Sequence, residues 1–145
     1  MRRILLASDF SEASRPALAT ALRMAKRDRA TLTILHVTEP SIPVSADQSA
    51  AFAGWEERQK QSRAWARRQL TKLTAAATKA GVQAVGVLAK GSTAREIVRA
   101  ARRRHAGLLV IGTHGRTGLA TRFLGSVAAG VVATSTCPVV TVRGR

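Results

Sequence analysis

Aromatic residues are nearly missing from this chain: three Phe, two Trp and no Tyr occur among 145 residues. A core with so few rings has to be built from Leu, Ile, Val and Ala, which suits helices packed on a parallel sheet. Cysteine occurs once, at Cys137. That excludes an internal disulfide and fits a reducing compartment. Cys137 precedes Pro138 and an apolar run, the setting of a small buried hydrophobe. Long apolar runs are absent too. The basic opening Met1-Arg2-Arg3 leads into four apolar residues before Ser8 and Asp9, too few for the core of a secretory signal. No stretch approaches the ~18 apolar residues of a membrane-spanning helix. These absences predict a cytoplasmic protein with no use for a membrane.

Acidic residues are scarce as well. Eight Asp plus Glu face 24 Lys plus Arg, a formal charge of +16. Such an excess attracts polyanions, from nucleic acid to nucleotide phosphates. Many of the arginines fall in helical stretches, such as Arg63, Arg67 and Arg68, or Arg99, Arg102, Arg103 and Arg104. There Arg serves a solvated face as a good helix former. No aromatic residues interleave the charge as stacking platforms for bases, so solvated faces are favoured over a nucleic-acid surface.

What is present reads as alternating strands and helices. The 46% hydrophobic content is enough for a sizeable core, and the length suits one domain over 1–145. Arg3 to Ser8 is a short buried strand. Ser11 or Ser14 caps the next helix, with Pro16 in its first turn and Leu18, Leu22 and Ala25 on one face. Thr31 to Val37 is a second strand, and Thr38 to Ser49 a loop. A long helix runs from about Ala51 to Lys79, with Ala66, Leu70, Leu73, Ala77 and Ala80 as its stripe and Gly81 as its stop. Val82 to Ala89 is the third strand. Thr93 and Glu96 have capping-box spacing, with Ile97, Val98 and Ala101 inward behind them. Gly107 to Ile111 is the fourth strand. Ser126 caps a last helix, and Pro138 to Val142 is the fifth strand.

Alternation of this kind predicts an α/β fold: a doubly wound five-stranded parallel sheet with helices on both faces. Periodicity does not give the strand order. In the common doubly wound orders, strand 1 is central and strand 4 lies beside it. Ligands then bind at the carboxyl ends of those two strands, which brings Asp9 close to Gly112.

The segment from Gly112 to Val127 carries the chemistry. It begins where a buried strand ends and finishes where a helix opens. Gly112 and Gly115 remove side chains where a phosphate approaches the backbone, and allow N–H groups to turn inward as an anion nest. Gly125 and Ser126 open a helix whose first N–H groups are unsatisfied and whose dipole favours an anion. His114, Arg116 and Arg122 add donors. Neither the P-loop nor the dinucleotide fingerprint has this glycine spacing. The alternative for the segment is a plain strand-to-helix loop, and for Asp9 a simple turn former. His36 and His105 have no acidic or metal-ligand companion at useful spacing and are expected in core or surface roles.

Gly112-x-x-Gly115, nine residues, then Gly125-Ser126 resembles the ATP-binding signature of the universal stress protein family. Ser8-Asp9-Phe10-Ser11-Glu12-Ala13-Ser14, Leu35-His36-Val37 and Cys137-Pro138-Val139-Val140 are similar to strings of that family in the same order. The resemblance spans essentially the whole chain. It implies a sheet ordered 3-2-1-4-5 and bound ATP, with magnesium. Asp9 would sit near the ribose or a metal-bridged phosphate, and Ala7 and Val37 would border the adenine. Ile111 and Gly112 would line the ribose and phosphate side. Gly115, Gly125, Ser126 and Val127 would hold the phosphates. It also implies a homodimer through Pro138 to Val142. Two departures, Gly107 in place of an acid and Ala128-Ala129-Gly130 after Gly-Ser-Val, leave the phosphate donors in place.

Three functions compete. One is an ATP-binding stress-response or signalling module with no enzymatic turnover. Another is a slow ATPase or phosphotransferase, for which Asp9 is the only carboxylate at a site strand end, against the metal and water-positioning set that phosphoryl transfer needs. The third is nucleic-acid binding through Gly115-Arg116-Thr117-Gly118, a Gly-x-x-Gly like that of KH domains. The lack of stacking aromatics speaks against it.

Overall fold

A computed structural model describes residues 2–40, 52–114 and 124–144. Five strands form one parallel sheet: β1 (Arg3–Ala7), β2 (Thr31–Thr38), β3 (Ala84–Lys90), β4 (Leu108–Gly112) and β5 (Val139–Val142). Their order is β3-β2-β1-β4-β5, and every neighbouring pair is parallel. The described helices are α1 (Arg15–Asp28), α2 (Trp55–Lys79), α3 (Thr93–Arg103) and α4 (Ser126–Thr134), with a short 3-10 turn at Glu12–Ser14.

The sheet separates two aliphatic cores. On one face Ile4, Leu6, Leu32, Ile34 and Val110 meet Ala17 and Ala21 of α1 and Leu70 and Ala77 of α2. On the other, Leu5, Leu35, Leu109 and Ile111 meet Ile97 and Ala101 of α3 and Val131 of α4. Successive residues of β1 thus enter opposite cores, so the strand reads as one unbroken apolar run.

Several boundaries and faces differ from the sequence reading. The buried face of α1 is Ala17, Ala21 and Ala25, with Leu18 and Leu22 only partly buried beside it. Small side chains let this helix lie close on the sheet, and the leucines seal its flank. Ala80 is exposed, because α2 ends at Lys79. The residue after it, Gly81, has φ +86°, and Val82 N–H donates to Ala77 O at 2.9 Å, which closes the helix in a left-handed cap. β3 starts at Ala84 rather than Val82, since that cap takes up Val82. The helix over Thr93 is capped one residue earlier, at Ser92, and Ser92 makes no side-chain capping bond. Its carboxylate partner is remote: Glu39 accepts from Thr93 N–H at 2.8 Å and from the Thr93 hydroxyl at 2.9 Å. Ser126 is likewise not the cap of α4 but its first residue, behind Gly125.

Candidate functional site

The carboxyl ends of β1, β2 and β4 open into a cavity of about 580 Å³. The helices that follow β1 and β4, α1 and α4, lie on opposite faces of the sheet, which makes the gap between these strand ends the switch point of the topology. Ala7, Ser8 and Asp9 form one wall, Leu35 to Glu39 another, and Ile111 to His114 a third. The first turn of α4, Gly125 to Ala128, completes the rim, with Ser62 and Trp65 of α2 and Thr93 of α3 at the far side.

The turn after β1 is tightly stitched. Asp9 Oδ1 accepts from the backbone N–H of Ser11 at 3.0 Å and from its hydroxyl. Phe10 N–H donates to Ser8 Oγ at 3.1 Å. His36 Nδ1 lies 2.7 Å from Ser8 O; a carbonyl only accepts, so Nδ1 carries the proton. The His36 ring stacks on Phe10 at 4.3 Å between centroids, and Trp65 meets Phe10 edge-on at 5.6 Å. Phe10 holds φ 65°, a conformation unusual for a bulky residue and one found near functional sites. Asp9 therefore does form the turn, and it also faces the cavity.

Across the cavity the two ends of the glycine-rich segment meet. Gly125 N–H donates to Thr113 O at 2.7 Å. A Cβ on Gly125 would stand 2.7 Å from that same oxygen, closer than side chains are found, so only glycine fits. Thr113 Oγ1 lies 2.8 Å from His114 Nδ1. The other ring nitrogen, His114 Nε2, is buried with no hydrogen-bond partner among the described residues. Such a group calls for one.

Among the described residues, two carboxylates line the cavity, Asp9 and Glu39. The Thr93 backbone N–H, and after it the Thr93 hydroxyl, hold the Glu39 carboxyl below the usual carboxylate range. No group of three or more His, Cys, Asp or Glu among the described residues could hold a metal ion. No helix among them is long and apolar enough to cross a membrane.

Of the residues singled out in the sequence, Ala7, Asp9, Val37, Ile111, Gly112, His114, Gly125, Ser126 and Val127 all line this cavity. Gly115 and Arg116 lie outside the described residues, as do Gly118 and Arg122. Sequence reasoning missed Ser8, His36, Thr38, Glu39, Ser62, Trp65 and Thr93 as lining residues. His36 and Thr38 sit in or beside a string already noted, Leu35-His36-Val37. Trp65 and Ser62 carry no local signal, because only the tertiary fold brings α2 over the strand ends.

A doubly wound parallel sheet with a cavity at its switch point defines the class of open α/β proteins that bind ligands at strand ends. Within that class, the sequence model of the universal stress protein family matches residues 1–143, and the chain belongs to that family. Universal stress protein YxiE of Bacillus subtilis is 33% identical over 145 residues, spanning 97% of this chain and 98% of YxiE. The solved structure of the protein MJ0577 superposes with a TM-score of 0.84 at 23% identity, over 99% of this chain and 96% of that one. A universal stress protein solved in complex with cAMP gives 0.68 at 24% identity, over 98% and 96%. These two likenesses are of fold.

Proposed function

We propose that the chain is one unit, 1–145, that binds ATP with magnesium in this cavity. It acts as a stress-response or signalling module whose conformation or partner binding follows the bound nucleotide, and it pairs as a homodimer through β5. The observation that carries the reading is the junction of Gly125 and Thr113 beside His114 Nε2, a buried nitrogen with no partner among the described residues. It holds a helix N-terminus, glycine backbone and a ring nitrogen around one space, as a phosphate chain requires. The cAMP complex of a fold relative supports a nucleotide as occupant.

In this reading Ala7 and Val37 border the adenine, and Asp9 meets the ribose or a magnesium ion bridged to phosphate. Gly112, Gly115, Gly125, Ser126 and Val127 hold the phosphates, with His114 and Arg116 as added donors. Magnesium brings charge neutralisation at the phosphates. Asp9 is a poor general base, because one of its oxygens already accepts two hydrogen bonds from Ser11. Hydrolysis is therefore slow at most, and binding is the function.

The test is the melting temperature of nucleotide-free protein with and without Mg-ATP. Ligand at a hundredfold over its dissociation constant adds about 2.7 kcal/mol, or roughly 5–10 °C for a chain of this length. Trp65 on the cavity wall supplies a second readout, a saturable change in fluorescence. ADP, cAMP and an RNA oligomer in the same titration rank the ligands. An unmoved melting temperature with Mg-ATP would overturn the proposal.

A further inference from the structure

A second cavity, of about 800 Å³, lies on the α3 face of the sheet and shares no lining residue with the first. Two sequence periodicities build it. Glu96, Arg99, Ala100 and Arg103 recur at i, i+3, i+4 and i+7, one stripe of α3, and line one wall. Val85, Val87 and Ala89 alternate along β3 and form the floor with Thr31 and Thr33 of β2. Val85 is 48% exposed, although it stands on a sheet face.

The groove runs along the edge of the sheet beside α3. A helix is about 10 Å across and covers about two strands spaced about 4.8 Å apart. The other face of β2 and β3 is covered by α2. On this face α3 packs on β2 and on the later part of β3, the sheet's edge strand, where Val87 and Ala89 are partly buried, and among the described residues it leaves the start of β3 around Val85 exposed. The rim is basic: Arg3, Lys90, Arg99, Arg103 and Arg104 line the groove, against one carboxylate among the described residues, Glu96. Glu96 is already paired to Arg99 at 3.2 Å.

We propose that this groove docks an acidic amphipathic helix of a partner protein, with its apolar stripe on Val85 and Val87 and its carboxylates on Arg99, Arg103 and Lys90. Charge complementarity selects the occupant. A second copy of this chain would set the same arginines against each other across a two-fold axis. Nucleic acid has no use for an aliphatic floor, and among the described residues no aromatic ring lines the groove to stack a base.

The experiment is fluorescence anisotropy with three labelled probes in about 0.15 M salt. The first is a peptide of about 18 residues with Leu at helical spacing and Glu elsewhere. The second has the same composition with Leu and Glu placed without either period. The third is single-stranded DNA of similar length. The helical peptide is expected to bind at least about tenfold more tightly than the other two, with binding seen below about 100 µM. Arg99→Glu with Arg103→Glu, and separately Val85→Asp, should each weaken it by about tenfold or more. Arg67→Glu with Arg68→Glu, exposed on α2, should not. Circular dichroism confirms that each variant is folded; because Val85 is half-exposed, Val85→Asp keeps the test alive if the double charge reversal unfolds. No binding of the helical peptide, equal binding of both peptides, equal loss in the α2 variant, or tighter binding of DNA would each overturn the proposal.

Discussion

Single residues in the cavity differ in how much of their role is set by geometry. Gly125 is the most constrained, because a methyl group there collides with backbone rather than with a flexible side chain. Gly125→Ala should push Thr113 away and break the bond that joins the two ends of the segment. The expected result is a loss of about 1–3 kcal/mol in stability and at least tenfold weaker ATP binding, read by chemical denaturation and by titration. Asp9→Ala acts differently. It removes the Ser11 contacts of the turn as well as the proposed ligand contact, so it should weaken Mg-ATP binding by about 1–3 kcal/mol without abolishing it. Unchanged affinity in calorimetry would leave Asp9 as a turn former alone. The glycine-rich segment was legible because glycine and a helix start leave local marks. The need for glycine at 125 was not, because the atom that forbids a side chain is Thr113 O, twelve positions away.

At the scale of elements, caps show where local sequence rules gave way to tertiary contacts. Thr93 and Glu96 have the spacing of a capping box, yet the carboxylate that serves Thr93 comes from Glu39 at the end of β2. Sequence spacing cannot reveal a partner 54 positions away that reaches across from just beyond β2. Glu39 ties the loop after β2 to the start of α3, and both border the candidate nucleotide cavity. Its folded-state pKa is lowered, so its contribution to stability is present above the unfolded value of about 4.3. That contribution is lost as pH falls through the lower folded value. Glu39→Gln should destabilise by at most about 1 kcal/mol at pH 7, given the exposure of the pair. Unfolding curves at pH 3 should show a smaller gap from wild type. A second element-level feature is the end of α3, where His105 takes φ 52° and Ala106 N–H donates to Ala101 O at 2.9 Å. Glycine suits that left-handed position better. His105→Gly should stabilise by about 0.5–1 kcal/mol, the relief of backbone strain less the added freedom of the unfolded chain. A lower melting temperature would mean that the His105 side chain makes a compensating contact.

For the whole molecule, the alternation of apolar runs and helical stripes made the α/β class legible, while the strand order was not written in any one strand. β1 and β4 are both short and apolar, and only the family resemblance implied 3-2-1-4-5, the order observed. That order leaves β5 as an edge. Beside it α4 carries no charged residue and exposes Val127 and Val132, so an apolar flank adjoins an open strand, the combination that a partner chain covers. We expect a homodimer in which β5 pairs with its two-fold copy. The ladder decides which substitution tests this. Leu109 N–H donates to Pro138 O and Thr113 N–H to Val142 O, so even-numbered residues of β5 address β4. Val140, which lies between them, faces the same way, and Val140→Pro would break the sheet inside one protomer. Thr141 points its backbone outward and its side chain is exposed. Thr141→Pro would therefore remove a donor from the free edge alone. Light scattering at micromolar concentration should give twice the 15.4 kDa chain mass for wild type and one chain mass for Thr141→Pro, with helix content unchanged. With +16 charges on each protomer, dimerisation should also strengthen from low salt to about 0.15 M as repulsion is screened. A wild-type mass of one chain would end the proposal, and a dimer that survives Thr141→Pro would move the interface away from β5.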